Sequence, residues 1–302
     1  MAEANYKTKR EQLLEEGFCV LENVLGPAFL EELRRFTDSS TARMSEEESR
    51  LNKTTGSMIP VTKEAIFARL VTWRPALDAL AAMGFCDVRF TSGFVISKPP
   101  RSPRLFWHFD WSAWTHPFSF EKRPAQIFLM YYLVDTNRAN GCLRILPRSH
   151  VEFNALHAEL SPAHNEALSK GQDMSLPEYQ TRDDEVEVPV RAGDLVIGDS
   201  RLLHAAHANE TDQRRTVITL WYHPDFGKLP DPIRGYIASL CGFTPAWCPE
   251  LADALRPLQP VYQGEAKPTK FVRVQLSKEA FESCRMTPGS QTRSADERAA
   301  AT

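Results

Sequence analysis

No apolar run in this chain approaches the ~20 residues a membrane-crossing helix needs; the longest, Gln126–Val134, falls far short. Neither sign of charge is in excess, since 36 Lys and Arg stand against 39 Asp and Glu for a formal net charge of −3, and no basic residues cluster in a run. Nucleic acid and membrane surfaces are therefore not expected as partners. Cysteine is scarce, with six in 302 residues and no Cys-x-x-Cys pair. That excludes a zinc ribbon and argues against a disulfide framework. With no secretory leader apparent, the scattered cysteines are expected as buried free thiols in a reducing, cytoplasmic setting. No internal repeat occurs, and Gly198-Asp199-Ser200 does not make the Gly-x-Ser-x-Gly turn of a serine hydrolase.

What is present is enough for a full core, with 42% hydrophobic and 25% charged residues. Length alone allows one domain or two. Residues 7–16 form a helical stretch ending at Gly17, Phe18–Leu21 reads as a strand, and helical spacing resumes from Pro27 to Phe36 and from about Thr62 to Met83. From Asp87 the texture turns to β-branched and aromatic residues. Between Arg104 and Pro224, strands are expected at 104–110, 125–134, 142–146, 194–198 and 214–222. No crossover pattern separates them, which points to an antiparallel barrel with helices outside. The interval from Val151 contains two helical stretches, Ala155–Leu160 and Ala163–Lys170, and is longer than an ordinary loop, as lids often are.

Strand alternation sends His108 and Asp110 to one face, with Trp107 and Phe109 on the other. His-x-Asp on one face is a chelating pair, and His204, 96 residues later, is the face-matched third ligand. Two imidazoles and one carboxylate make a facial triad that leaves positions open, as non-haem Fe(II) requires. Of the other histidines, His207 reads as a supporting or surface residue and His150 as a cap on a strand end, while His116, His157, His164 and His223 receive no role. Asp199 is a weaker carboxylate candidate than Asp110.

The segments Glu15–Leu21, Trp107-His108-Phe109-Asp110-Trp111, Asn140–His150, and Gly193–Ile197 followed by His204, Asn209 and Arg215 resemble the phytanoyl-CoA dioxygenase family. Arg148 stands where that family usually has glycine. The resemblance implies a mainly β fold with flanking helices, a double-stranded β-helix (jelly-roll, cupin-like) barrel, and Fe(II)- and 2-oxoglutarate-dependent oxygenase activity. It further implies that His108, Asp110 and His204 bind iron and that Arg215 anchors the distal carboxylate of 2-oxoglutarate, with dioxygen as the third reactant. Arg214 is the rival anchor. Arg215 is preferred because its eleven-residue offset from His204 matches the family, and its face also carries Val217, Thr219 and Trp221. Gln126 is a further candidate for the cosubstrate.

Trp111, Trp114 and Trp221 are candidates for a substrate pocket, as against plain core filling. A carboxylate at position 110 argues for hydroxylation over halogenation. The expected reaction is therefore hydroxylation of an unactivated C–H bond of a small organic molecule, such as a secondary metabolite, with succinate and CO2 as coproducts. Two alternatives are the same chemistry on an acyl-CoA, with Arg101, Arg104, Lys122 and Arg123 meeting its phosphates, and a non-catalytic cupin-like binding protein. The expected organisation is one domain over 1–286: a helical support at 1–86, a barrel core at 87–225 containing a lid-like insertion at 151–186, and a C-terminal segment at 226–286. A disordered tail is expected at 287–302, and the sequence leaves the oligomeric state open.

Overall fold

Ten strands carry the site: β1 (Phe18–Leu21), β2 (Ile59–Pro60), β3 (Arg89–Lys98), β4 (Leu105–His108), β5 (Ile127–Tyr132), β6 (Leu143–Ile145), β7 (Val186–Val188), β8 (Leu195–Asp199), β9 (His204–Ala206) and β10 (Arg215–His223). They form two antiparallel sheets in a computed structural model that describes residues 2–266, 271, 273 and 275–286. The larger sheet has the order β1-β8-β5-β10-β3-β2 and the smaller the order β4-β9-β6-β7. The two sheets face each other without closing into one hydrogen-bonded ring. The expected barrel is thus an open two-sheet jelly roll, and with helices along both flanks the chain is mixed rather than mainly β. The expected tail lies outside the described residues.

The alternation along β10 divides its side chains. Ile218, Leu220 and Tyr222 enter the core shared with the N-terminal helices, alongside Phe29, Leu33, Phe67 and Leu80. Arg215, Val217, Thr219 and Trp221 face the space between the sheets. Burying each large apolar side chain in that core contributes on the order of 1.5–3 kcal/mol, which braces the back of the larger sheet. The first helix runs from Ala2 to Glu16 and stops at Gly17, whose φ of 91° suits a residue without a Cβ. A second helix spans Pro27–Ala42 with Pro27 in its first turn.

The helix expected from Thr62 to Met83 is two helices, Ile66–Val71 and Arg74–Ala82. Pro75 has no N–H to continue the first, so the chain turns at Thr72–Trp73 and starts again. The interval after Val151 holds two short helices, Leu156–Glu159 and Glu166–Lys170, and a 3-10 turn at Pro177–Tyr179. Four short elements escaped the sequence reading: the helix Glu46–Leu51 and the strands β2, β7 and β9. They are too brief to establish a period. Among the described residues no helix is long and apolar enough to cross a membrane. Cys19, Cys86, Cys142, Cys241 and Cys248 are free thiols, and Cys86 is exposed rather than buried.

Candidate metal centre

β4 and β9 pair so that His108 lies directly opposite His204, and the two imidazole centroids are 4.2 Å apart. Each ring donates its Nδ1–H to the carbonyl two residues earlier, His108 to Phe106 and His204 to Leu202, both at 3.0 Å. That bond fixes the tautomer, so both Nε2 lone pairs point into the space between the sheets. Burial, then the neighbouring His204 and His164, holds His108 well below the usual histidine range, so it stays neutral, as a metal ligand must. Behind His204, the Phe128 ring lies 5.0 Å away. Its place depends on Gly198, where a Cβ would come within 2.0 Å of the Phe128 ring.

Asp110 follows β4, held by its own N–H and that of Trp111 on the carbonyl of Ser200, both 2.8 Å. Its Oδ1 lies 3.7 Å from Nε2 of His108 and its Oδ2 3.8 Å from Nε2 of His204. All three residues are buried, and their donor atoms lie within 4.8 Å of one another. Two imidazole nitrogens and one carboxylate oxygen on one side of a small space fit a divalent transition ion that keeps other positions open. Trp221 of β10 donates its indole N–H to Oδ2 at 2.8 Å.

From this centre a narrow inner cavity of about 50 Å³ runs between the sheets to Arg215, lined also by Met130, Tyr132, Leu143 and Thr219. Arg215 is buried, and its Nε has no hydrogen-bond partner among the described residues; the same holds for Oγ1 of Thr219. The hydroxyl of Tyr132 reaches only the thioether of Met130, at 3.8 Å, a poor acceptor. Burial pushes Tyr132 up to about 12, so it keeps its proton to donate. A buried cation and two under-used hydroxyls in one cavity form a cradle that lacks an anion. Arg214 points elsewhere, donating to the carbonyl of Ser97 at 2.9 Å. Arg215 keeps its place because the buried side chain of Asn209 shapes the return from β9 to β10, donating to the carbonyls of Pro99 at 3.0 Å and Gln213 at 2.7 Å.

A larger outer cleft of about 730 Å³ opens on the other side of Asp110, lined in part by Trp111, Gln126, His164, Trp221, Phe271 and Arg273. Gln126, the further candidate for the cosubstrate, lines the outer cleft with Asp110 and does not line the inner cavity that holds Arg215. It immediately precedes β5, six residues from Tyr132, and at ~3.3 Å per residue stands roughly 20 Å away along the chain, on the cleft side. Tyr132 occupies the place beside Arg215 that alternation from Gln126 would have indicated. Trp111 and Trp221 do line the cleft, whereas Trp114 does not. It is fully buried among Phe109, Phe120, His157 and Phe281, because the chain turns inward before the 3-10 helix Pro117–Phe120.

The insertion reaches the centre through Leu160–Ala163, which line a small void against His108. His164, in left-handed conformation at φ 59°, has its ring 5.2 Å from that of His108. Neither His164 nor Arg273 had a signal in the sequence, since both lie in irregular segments.

The remaining candidates have other partners. His207 bonds Oε1 of Glu187 at 2.9 Å and forms a second group of donors with Glu187 and Cys142. There Arg138 already holds Glu187 at 2.8 Å, and burial pushes the Cys142 thiol up to about 11. His150 bonds the carbonyl of Leu14, capping the first helix rather than a strand. Asp199 pairs with Arg201 at 2.6 Å. The basic residues considered for CoA phosphates do not converge: Arg101 pairs with Asp212, Arg104 bonds the carbonyl of Tyr179, Arg123 pairs with Asp225, and Lys122 lines a separate hollow.

Residues 13–217 match the family model for phytanoyl-CoA dioxygenase. The chain belongs to that family and, with it, to the non-haem iron, 2-oxoglutarate-dependent dioxygenases. It is 23% identical over 237 residues to an ectoine dioxygenase of Nocardia farcinica, covering 72% of this chain and 77% of that protein. It is 24% identical over 239 residues to an ectoine dioxygenase of Bordetella parapertussis, with the same shares covered. Among solved structures it is similar to the non-haem α-ketoglutarate-dependent epimerase SnoN from nogalamycin biosynthesis, with a TM-score of 0.55 at 20% identity over 73% of this chain and 83% of that one. Similarity extends to EctD from S. alaskensis with 2-oxoglutarate and 5-hydroxyectoine, with a TM-score of 0.52 at 16% identity over 72% and 75%. At such identities the structural likeness establishes the jelly-roll fold.

Proposed function

We propose that this enzyme hydroxylates an unactivated C–H bond of a small organic molecule held in the outer cleft, using Fe(II) on His108, Asp110 and His204 and 2-oxoglutarate anchored by Arg215. When bound, the iron activates dioxygen at the expense of the cosubstrate: one oxygen atom enters the product alcohol and the other enters succinate as CO2 leaves. The chain's own part is to bind, orient and exclude water. Phe106 and Leu202 hold both imidazoles in the ligating tautomer, and Trp221 and the Ser200 carbonyl aim the carboxylate of Asp110. Arg215 offers its guanidinium fork to the distal carboxylate, with the Tyr132 and Thr219 hydroxyls beside it. Leu160–Ala163 line the void beside His108, and His164 packs its ring against that ligand.

The observation that carries the reading is the unpartnered, buried guanidinium of Arg215 in a cavity that begins at the three converging ligands. A metal-only binding protein has no use for it. Anaerobic titration of the full chain with Fe(II) and then 2-oxoglutarate tests the proposal: a weak visible charge-transfer band is expected as the α-keto acid chelates the iron. Folded, iron-loaded protein that develops no band with saturating 2-oxoglutarate overturns it.

A further inference from the structure

The outer cleft presents one permanent cation for which the metal and cosubstrate chemistry has no use. Arg273 donates Nε–H to the backbone carbonyl of Asp110 at 3.0 Å, which fixes its head at the metal side of the cleft. Its side chain keeps 30% exposure there, and Nη2 stands 3.9 Å from Oδ1 of Asp110. Among the described residues neither Nη atom has a hydrogen-bond partner. Resting on the iron and 2-oxoglutarate reading above, we propose that Arg273 binds a carboxylate on the substrate, and that the substrates are small, largely apolar or aromatic acids carrying one negative charge.

Charge balance supports the single negative charge. Of the described residues lining the cleft, only Asp110 and Arg273 are permanently charged, and Asp110 belongs to the metal. The charges of Fe(II), Asp110, a dicarboxylate cosubstrate and Arg215 cancel among themselves, which leaves Arg273 uncompensated. A cation held in a partly dry cleft is costly without a partner. With Nε engaged, the two Nη groups still form one free end of the fork, which suits a carboxylate bidentately. A polyanion such as a CoA ester finds no second cation, because Arg101 and Arg123 are spent on Asp212 and Asp225 outside the cleft.

The walls supply the apolar half of the argument. Trp111, Phe94, Trp221, Tyr236 and Phe271 turn aromatic surface toward the cleft, with Arg273 beside Phe271. Tyr236, Phe271 and Arg273 lie beyond residue 217, where the match to the family ends. The segment that sets this charge preference is thus outside the shared catalytic core.

The test uses the full chain loaded anaerobically with Fe(II) and 2-oxoglutarate, and calorimetry with 3-phenylpropanoate and indole-3-acetate against their primary amides. The wild type is expected to bind the acids at least roughly tenfold more tightly than the amides. In Arg273→Gln that preference disappears because acid binding weakens while amide binding is unmoved, and Arg273→Lys keeps part of it. Iron and 2-oxoglutarate affinities, titrated separately without probe, stay at wild-type values in both variants. Equal binding of acids and amides by the wild type overturns the proposal, as does a loss in Arg273→Gln that falls equally on both. A fall in iron affinity in Arg273→Gln with acid preference intact assigns Arg273 to holding Asp110 and also overturns it. If wild-type protein fails to bind iron or 2-oxoglutarate at all, the oxygenase reading fails; the acid-against-amide comparison is then made on metal-free protein by quenching of Trp111 and Trp221 fluorescence, and equal quenching overturns the Arg273 assignment as well.

Discussion

Trp221, near the end of β10, donates its indole N–H to Oδ2 of Asp110 at 2.8 Å, joining the larger sheet to the candidate carboxylate ligand that follows β4 of the smaller one. Partners that orient a metal ligand typically govern affinity tenfold to a hundredfold. Trp221→Phe is therefore expected to weaken Fe(II) binding by roughly ten- to a hundredfold in anaerobic titration, with the fold retained by circular dichroism. Unchanged iron affinity would show that the Ser200 carbonyl alone positions Asp110.

Arg215→Lys tests the cosubstrate anchor. Lysine keeps the charge but offers no planar fork, so 2-oxoglutarate binding should fall roughly tenfold or more while iron affinity stays near wild type. A parallel fall in both would make Arg215 a structural residue of the sheet interior.

Arg148 holds φ at 67°, a left-handed conformation that costs a residue with a Cβ on the order of 1–2 kcal/mol, in a turn where the family usually has glycine. Its exposed pair with Glu152 offsets little of that. Arg148→Gly is expected to raise the melting temperature by about 1–2 °C, after the entropy that glycine adds to the unfolded chain. Arg148→Val, β-branched, should lower it. Thermal denaturation of the three proteins decides, and the opposite order for the two variants refutes the strain.

His157 is fully buried against Phe153 and Phe281, and burial pulls it down to about 4; His223, donating to the Ala125 carbonyl, is likewise held at about 4. Both bind protons more readily in the unfolded chain than in the folded one. Their contribution is thus fully present above pH ~6.5 and is lost as pH falls from there toward 4. In melting profiles against pH, His157→Phe should flatten part of the acid limb between pH ~6.5 and 4, while His223 and the other buried histidines held low, His164 among them, keep the rest of the slope. An unaltered slope would mean that His157 titrates normally.

Periodicity is a local property, and what it governs was legible in the chain. Alternation put His108 and Asp110 on one face and separated Arg215 from Arg214, and both assignments match where the side chains point. Glycine at position 17 marked the end of the first helix for a similarly local reason, its positive φ. The longer strands between 87 and 223 were readable because β-branched and aromatic runs recur between turn residues, whereas β7 and β9 are too short to show such a run.

Only the tertiary structure could choose among residues of the same type. Trp111 and Trp114 are three apart and equally apolar, yet one lines the cleft and the other fills the core, because the turn before Pro117 is set by packing against the distant helix Lys278–Met286. His164 and Arg273 reach the metal centre from irregular segments roughly 50 and 160 residues from Asp110, and no period announces such long-range closures. Backbone alternation over a few residues put His108 and Asp110 on one face in the sequence itself, whereas His204, 96 residues later, joins them only through the pairing of β4 with β9. Which side chains wall the outer cleft, and the place of Arg273 beside Asp110 there, were decided by how the two sheets, the insertion and the C-terminal segment pack together.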